Sequence, residues 1–263
     1  MPVKSVLRRT RYLLLAAFSI HLLPSLAAAQ IDIESQRGDD LPVGISGTMG
    51  GDLTVRTGNV DFVQVGLQAR LYDVRESVTT LLVGDGGFGF LGSSRFASEG
   101  LAHLRQTYPF RRYLSPEWYT QINYDRSQLL TFRALLGGGA RTFFASGSWG
   151  DFGAGSALMF EHERLSLPDS ASHPDRTTTL RWSNFLTLRV VPTPGLVVTS
   201  TTYAQPEFAN PGDVRVLGNV RLATAVTEAL SLTVSFNLRY DSDPPDGIAA
   251  LDTTLRTGVT YSY

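Results

Sequence analysis

The chain has 263 residues, with 23 basic and 24 acidic side chains, a formal net charge of −1 and no cysteine. The absence of cysteine excludes disulfide and thiolate chemistry. Lys4 is the only lysine, and the first 29 residues hold four of the basic residues and none of the acidic ones. The remainder therefore carries 19 arginines against 24 acidic residues, a net charge of −5 that argues against a nucleic-acid partner.

The first 29 residues have the layout of a secretory signal peptide. A basic start with Lys4 and three arginines precedes a largely apolar stretch at 12–23, and small residues follow. The apolar stretch is shorter than the ~20 residues that a bilayer-spanning helix needs. We predict export and cleavage after Ala29, with Ala27, Ala29 and Gln30 forming the cleavage site. An uncleaved membrane anchor is the alternative.

Beyond residue 29 the sequence is organised as amphipathic strands. In the segment 229–240 alternate residues from Leu230 to Tyr240 are apolar, whereas those from Ser231 to Arg239 are polar. Segments of ~10 residues with this alternation are typical of transmembrane β-barrels. We predict an all-β fold: a single antiparallel up-and-down transmembrane β-barrel of about twelve strands at 43–263, after a short periplasmic segment at 30–42. Ten or fourteen strands are the alternatives. The predicted strands are 43–55, 60–73, 77–90, 97–110, 117–126, 129–143, 149–163, 177–191, 196–205, 213–226, 229–240 and 251–263.

The connections between the predicted strands alternate in length. Those after even-numbered strands are short, as at 75–76 and 227–228, whereas several of the others are long and rich in Pro, Asp and Ser, as at 164–176 and 241–250. Outer-membrane barrels have short periplasmic turns and longer external loops. We therefore predict a location in the outer membrane of a Gram-negative-type bacterium, with both termini periplasmic.

Two arguments decide which face of the strands points outward. Interior side chains can just fill a barrel of ~8 strands, whereas the lumen of a barrel of about twelve strands is too wide for simple filling. The polar face is also too charged for a dry core or for lipid contact, where an arginine at mid-membrane costs ~2–4 kcal/mol. We expect the polar face to line the lumen and the apolar face to meet lipid. The predicted lumen charge network is Arg70, Glu99, His103, Arg105, Asp125, Arg133, Arg141, Glu161, Arg181, Arg189, Arg215, Arg221, Arg239, Asp252 and Arg256. The predicted interface aromatics and closing-strand residues are Trp118, Trp182, Tyr240, Val259, Tyr261 and Tyr263.

The lumen set contains ten arginines and four carboxylates. Rings of charge set the selectivity of pores, so an open lumen would favour anions. If the arginines pair with carboxylates across the barrel, the lumen is closed and the charges are structural. Bulky polar residues such as Gln121 and Asn237 on the same face favour closure. We predict envelope maintenance or narrow passage of small solutes, and we expect no cofactor and no metal.

Several motifs resemble those of one family. They are EGLAHLR at 99–105, WY at 118–119, RALLGGG at 133–139, FEHE at 160–163, RWSNFL at 181–186, DSDPP at 241–245 and DTTL at 252–255. In their order and spacing over residues 43–263 they resemble the outer-membrane proteins grouped as domain of unknown function 481, some of which are called salt-induced outer-membrane proteins. The resemblance implies an outer-membrane barrel and a link to osmotic conditions, and it brings no established activity.

An outer-membrane lipid hydrolase is the alternative function. Such enzymes use Ser, His and an acidic or amide partner at the barrel surface, and His162 lies between Glu161 and Glu163 with Ser166 nearby. Alternation places His162 on the lipid face and its two neighbours on the other face. An interfacial histidine between two lumen carboxylates gives the same pattern without any catalytic role. We therefore expect no catalytic residue.

The segment 251–263 is amphipathic and ends with Tyr261 and Tyr263, like the closing strands of outer-membrane barrels. The barrel-assembly machinery generally engages a strand of this kind. We expect a monomer whose partners are outer-membrane lipid and that machinery.

Deleting Tyr263 is expected to impair assembly into the membrane far more than any activity, because the closing strand loses its terminal aromatic side chain. The amount of heat-modifiable protein in outer-membrane fractions measures this effect. The variant Tyr263→Phe keeps the aromatic ring and is the matched control. Normal membrane levels of the truncated protein would contradict the barrel interpretation.

Overall fold

The computed structural model describes residues 41–56, 62–91, 94–111 and 113–262. Several predicted features lie outside the described residues: the signal peptide 1–29 with Ala27 and Ala29, the residues 30–40 including Gln30, and Tyr263.

Twelve strands pair in chain order and close into one antiparallel barrel, which confirms the predicted fold and excludes ten or fourteen strands. β6 and β8 extend beyond their predicted ends, and β4 begins earlier than predicted. The strands are β1 (Gly44–Arg56), β2 (Phe62–Val74), β3 (Thr79–Leu91), β4 (Ser94–Thr107), β5 (Ser115–Asp125), β6 (Leu130–Gly147), β7 (Gly150–Leu165), β8 (Arg176–Thr193), β9 (Leu196–Pro206), β10 (Val214–Ala225), β11 (Leu230–Asp241) and β12 (Leu251–Ser262).

The barrel closes between its first and last strands. β1 pairs with β12 from Thr48 opposite Ser262 to Gly51 opposite Val259. Every other neighbouring pair is also antiparallel, so the strands are hydrogen-bonded to their neighbours all the way around the barrel. Within the described ranges, no helix is long and apolar enough to cross a membrane.

The two ends of the barrel differ in their connections. At one end, named the turn end, the strands are joined by residues 75–78, 108–114, 148–149, 194–195 and 226–229. At the other, named the loop end, they are joined by 57–61, 92–93, 126–129, 166–175, 207–213 and 242–250. Gly44 and Ser262 both lie at the turn end. The connection after β4, residues 108–114, is the longest of those at the turn end.

The alternation of side chains divides the barrel into an apolar exterior and a mixed interior. Along β12, Leu251 and Leu255 are 56 % and 58 % exposed on the outside, whereas Thr254 and Thr260 are buried on the inside. On β6, Leu136 is 58 % exposed, whereas Arg133 is 3 % exposed. Aliphatic side chains are favourable in hydrocarbon, so the exposed apolar surface fits a bilayer.

A band of apolar side chains crosses the middle of the interior. One group consists of Tyr119, Leu135, Ala157 and Met159, and another of Phe185, Tyr203 and Leu217. Together with polar side chains such as His103, Gln121 and Gln205, they line a cavity of about 40 Å³, large enough to hold water. The interior at this level is thus more apolar than the predicted set of charged lumen residues indicates. Alternation does not reveal it, because the aromatic residues occur singly among polar ones on each strand.

Interior glycines make room for the aromatic rings of this band. Gly137 lies directly opposite Tyr119 and Gly155 directly opposite Phe185. A Cβ atom on Gly137 would come within 2.2 Å of the Tyr119 ring, and one on Gly155 within 2.1 Å of the Phe185 ring. Each ring thus covers the backbone of the glycine across from it, a pattern that pins the register of paired strands.

The adjacent glycines Gly137 and Gly138 provide a matched test of this packing. A Cβ atom on Gly138, which faces outward, meets nothing within 4 Å. We expect Gly137→Ala to lower the free energy of unfolding by about 1–3 kcal/mol, because the buried Tyr119 ring must move. Gly138→Ala should leave it almost unchanged. Denaturant midpoints followed by heat-modifiable migration measure both, and equal midpoints for the two variants would contradict the packing.

Candidate functional site in the barrel interior

Two glutamates on β7 form the centre of an ion-pair cluster in the loop-end half of the barrel. Glu161 and Glu163 lie two residues apart, so both side chains point inward, and each is 1 % exposed. Arg215 of β10 donates from Nη1 to Glu161 Oε1 at 2.6 Å and to Glu163 Oε1 at 2.7 Å. Arg133 of β6 donates to Glu163, and Arg181 of β8 donates from Nε to Glu161 Oε1 at 3.1 Å. Three arginines from three strands thus share two carboxylates.

The cluster continues toward the loops. Arg215 Nε donates to Asp241 Oδ2 at 2.9 Å. Arg181 reaches the 207–213 loop, where its Nη2 lies 3.0 Å from Asp213 Oδ2. Arg239 Nη2 lies 3.5 Å from Asp241 Oδ2. Because each charge has an opposite partner, the buried cluster is close to neutral and resists opening.

A short 3₁₀ helix at Arg126–Gln128 adds a polar side chain to the interior. The Asp125 side chain accepts from the backbone N–H of Ser127 at 2.8 Å and caps this helix. Gln128 accepts from Arg239 and donates from Nε2 to Asp252 Oδ2 at 2.8 Å. Gln128 thereby links the cluster to β12.

The other predicted lumen residues form smaller groups. Arg256 Nη2 donates to Glu99 Oε1 at 2.8 Å. Arg105 and Arg141 each place Nη1 3.9 Å from Glu117 Oε2. His103 lies 3.1 Å from Gln121 through Nδ1. Its ring stacks on Tyr119 at a centroid distance of 5.8 Å.

Arg70, Arg189 and Arg221 lie in the turn-end half of the barrel. Arg70 donates from Nη2 to Gln68 Oε1 at 2.5 Å. Arg221 donates from Nη2 to Thr260 Oγ1 at 3.3 Å. Arg189 lies opposite Asp151 on β7 and Thr199 on β9. All the predicted lumen residues therefore face inward.

The predicted lipid-side residues face outward. Trp182, Tyr240, Val259 and Tyr261 are 39–53 % exposed. Trp118 is half-buried, and its indole N–H donates to Gln106 Oε1 and to Tyr108 Oη, both at 3.2 Å. The Trp118 ring therefore lies on the outer wall near the turn end, where an amphipathic ring suits a membrane interface.

The predicted lumen set omits three buried carboxylates, Glu117, Glu163 and Asp241. Glu117 shares its face with Gln121 and Asp125, and Glu163 with Glu161, so alternation could have found both. With these three included, the interior set contains ten arginines and seven carboxylates. The excess of positive charge on which the predicted preference for anions depends is therefore smaller than in the predicted set.

His162 lies on the outside of the barrel, as predicted, and is half-buried. Its Nδ1 is 2.8 Å from Thr178 Oγ1 on the neighbouring strand. Glu161 and Glu163 point to the opposite face and bind arginines, so they do not orient the imidazole. In the described part of the chain, no group of three or more His, Cys, Asp or Glu side chains could hold a metal ion.

The loops at the loop end are tied to one another. Asp246 Oδ2 accepts from the backbone N–H groups of Ser172 and His173, both at 2.7 Å, and Oδ1 accepts from Ser172 Oγ at 2.9 Å. Ser242 Oγ accepts from the backbone N–H of Val214 at 2.7 Å. The loops 166–175 and 242–250 thus meet beside the loop 207–213. The N–H of His173 and the hydroxyl of Ser172 hold the pKa of the Asp246 carboxyl below its usual range.

An apolar outer wall, an ion-paired interior and twelve antiparallel strands define a transmembrane β-barrel. The model of the family described as "Protein of unknown function, DUF481" matches residues 53–263. The chain belongs to this family, as the motifs predicted. No curated protein sequence matches the chain.

The barrel is similar to the solved structure of a porin. The NanC porin aligns with a TM-score of 0.51 at 6% sequence identity, covering 82% of this chain and 98% of that one, and this likeness shows the fold. The KdgM porin in complex with disordered oligogalacturonate has a TM-score of 0.41 at 8% identity, covering 83% and 99%. The translocator domain of the autotransporter NalP from Neisseria meningitidis has a TM-score of 0.41 at 13% identity, covering 86% and 90%.

The contact between the loops should depend on pH. Because the pKa of Asp246 is lowered in the folded protein, the contact is fully present above the ordinary aspartate pKa of about 3.9 and is lost as the pH falls through the lowered value. We expect hydrogen-exchange protection at 172–173 to fall in the same range. Asp246→Asn should reduce that protection at neutral pH, whereas Asp175→Asn, a change in an exposed carboxylate, should not. Unchanged protection in Asp246→Asn would contradict this role.

Proposed function

We propose that this protein is a narrow outer-membrane barrel that stiffens the envelope. Small solutes pass through it only when the interior ion-pair cluster opens. The observation that supports this most is the burial of Glu161 and Glu163 among three arginines, with all five side chains at most 5 % exposed. Such a cluster fills the loop-end half of the lumen, where a wide porin would hold water.

The energetics of the cluster favour a closed state. Removing one partner of a buried ion pair typically costs about 3–5 kcal/mol, because a charge remains buried without compensation. Opening a path through the cluster separates Arg215 from carboxylates on β7 and β11 and meets a similar penalty. The apolar band around Phe185 and Tyr203 narrows the lumen further.

We further propose that the turn end faces the periplasm, where the short connections of outer-membrane barrels lie. The proposed partners are outer-membrane lipid around the apolar wall and the barrel-assembly machinery acting on 251–263, and the proposed working state is a monomer. The contact of His162 with Thr178 does not favour a lipid hydrolase, so we propose no enzymatic activity.

Conductance in planar bilayers tests this proposal. We expect the wild-type protein to show little or no stable conductance. Glu163→Gln should raise the open probability by at least about tenfold, because it removes one charge of the closed cluster. The loss of one partner of a buried ion pair costs about 3–5 kcal/mol, well over the 1.4 kcal/mol that corresponds to a factor of ten. Glu228→Gln changes an exposed carboxylate in the 226–229 turn and is the matched control.

Two controls keep the result interpretable. Heat-modifiable migration shows that Glu163→Gln is folded, and Arg215→Lys serves as a second variant that keeps the charge but loses the bidentate contacts. A large steady conductance of the wild-type protein, or unchanged conductance of both cluster variants, would contradict the closed barrel.

A further inference from the structure

Two carboxylic acids face each other across the neck of the loop 207–213. Glu207 follows β9 and Asp213 precedes β10, and the N–H of Glu207 donates to the carbonyl oxygen of Asp213 at 2.8 Å. The two residues thus continue the register in which Gln205 lies opposite Arg215. Residues directly opposite each other in antiparallel strands have Cβ atoms ~4.5–5.5 Å apart, on the same face. Because Gln205 and Arg215 are buried in the interior, Glu207 and Asp213 also face the lumen.

Arg181 of β8 completes this row of charged residues. It lies opposite Glu207 in the strand register. Its Nη1 donates to Asp213 Oδ1 at 3.2 Å and its Nη2 to Asp213 Oδ2 at 3.0 Å, a bidentate contact. Its Nε donates to Glu161 Oε1 at 3.1 Å. One guanidinium group therefore connects the neck of the loop to the ion-pair cluster.

Glu207 adds a second negative charge to the neck. The carboxyl groups of Glu207 and Asp213 lie within hydrogen-bond reach of each other. Two ionised carboxylates repel each other at such a distance, whereas a protonated carboxyl group can donate its O–H to an ionised one. The bidentate contact with Arg181 favours the ionised form of Asp213. The pair is therefore attractive when Glu207 carries a proton and repulsive when it does not.

The charged groups that act on the Glu207 carboxyl come from each element packed against it. They are Asp213 before β10, Arg181 on β8 and Glu161 on β7. Partial burial, followed by the charge of Asp213, raises the pKa of Glu207 above that of an ordinary glutamate, and the attraction of Arg181 does not offset this rise. Because the folded pKa is raised, the attraction is fully present below the ordinary glutamate pKa of about 4.3 and is lost as the pH rises through the raised value.

The backbone of the loop is attached beside the same pair. The N–H of Phe208 donates to the carbonyl oxygen of Leu180 on β8 at 2.7 Å. Ser242 Oγ donates to the carbonyl oxygen of Gly212 at 3.2 Å. The loop is thus held between β8 and the loop 242–250, and the contact between Glu207 and Asp213 lies at its base.

We infer that Glu207 and Asp213 form a proton-operated latch that fastens the loop 207–213 to Arg181 and, through it, to the ion-pair cluster. In mildly acidic solution the pair takes up one proton from solvent, Glu207 donates its O–H to Asp213, and the loop is held in place. At higher pH both carboxylates are ionised, they repel each other, and the loop loosens. The effect of the latch on passage rests on the proposed function, whereas the loosening of the loop does not.

Hydrogen exchange of the full-length protein tests the latch. The variant Glu207→Gln keeps a side chain of similar size that has no charge at any pH. Its protection is compared with that of the wild-type protein at the same pH, so that the intrinsic pH dependence of exchange cancels. The Phe208 and Asp213 amides report on the loop, and the Asp213 amide is distant enough in sequence from the substitution to be free of its direct effect on exchange chemistry.

We expect equal protection in the two proteins below about pH 4, where Glu207 is protonated. At neutral pH the wild-type protein should be about two- to fivefold less protected than Glu207→Gln, as the repulsion of like charges directly opposite each other predicts. Asp169→Asn, a change in an exposed carboxylate of the loop 166–175, is the matched control and should behave like the wild-type protein. Heat-modifiable migration shows that each variant is folded.

A second variant separates the latch from a general loss of structure. Asp213→Asn removes the acceptor of Glu207 and the contact with Arg181, so it should lower protection at every pH and abolish the pH dependence. Protection of the 172–173 amides provides an internal reference, because the Asp246 contact is lost as the pH falls, in the opposite direction to the latch.

Three results would overturn the inference. One is the same ratio of protection between the wild-type protein and Glu207→Gln at all pH values, and another is lower protection in Glu207→Gln at neutral pH. The third is protection of the wild-type loop at neutral pH that requires Mg²⁺ and is lost with EDTA, since the carboxylates would then bind a divalent cation rather than a proton.

Conductance distinguishes the latch from the proposed passage. In the Glu163→Gln background, the open probability should rise with the pH on the loop-end side, and adding Glu207→Gln should remove this rise. Exchange that depends on pH supports the latch even if the conductance does not change, a result that contradicts only the proposed passage. Exchange that does not depend on pH overturns the latch whatever the conductance.

Discussion

The pairing of Glu161 and Glu163 with arginines from β6, β8 and β10 is the interaction on which the packing of the interior depends. A barrel in lipid can place its charged side chains only inside, and there each charge needs a partner because water is scarce. Arg215 contacts both glutamates and Asp241, so one side chain joins β10 to β7 and β11 across the lumen. The sheet pairs the backbone groups, and the cluster compensates the charges inside the barrel.

The interior is divided along the barrel axis. The loop-end half holds carboxylates and arginines in close contact, the middle holds the apolar band with Tyr119 and Phe185, and the turn-end half holds Arg70, Arg189 and Arg221. The interior therefore has three layers of different chemistry, although the alternation along the strands is the same in all of them.

The strand architecture could be predicted from the sequence because alternation is a local property. The alternation of apolar and polar residues shows which side chains face outward in the segments 230–240 and 251–261, without reference to any other strand. The partners inside could not be predicted, because they depend on how far each strand is staggered against the next. Gln128 joins Arg239 and Asp252, more than a hundred residues away, and belongs to a 3₁₀ helix with no strand periodicity. The family motifs indicated the barrel but not these contacts.

The choice of arginine over lysine follows from the geometry at the cluster, though not everywhere in the chain. Arg215 uses Nε for Asp241 and Nη1 and Nη2 for Glu163, in directions that a single ammonium group cannot reproduce. Arg75 and Arg176, on the surface, make exposed contacts that lysine could also make. The arginine content of the chain is therefore no measure of function in itself. It becomes informative only where several carboxylates converge on one guanidinium group, and that occurs at the inward-facing positions.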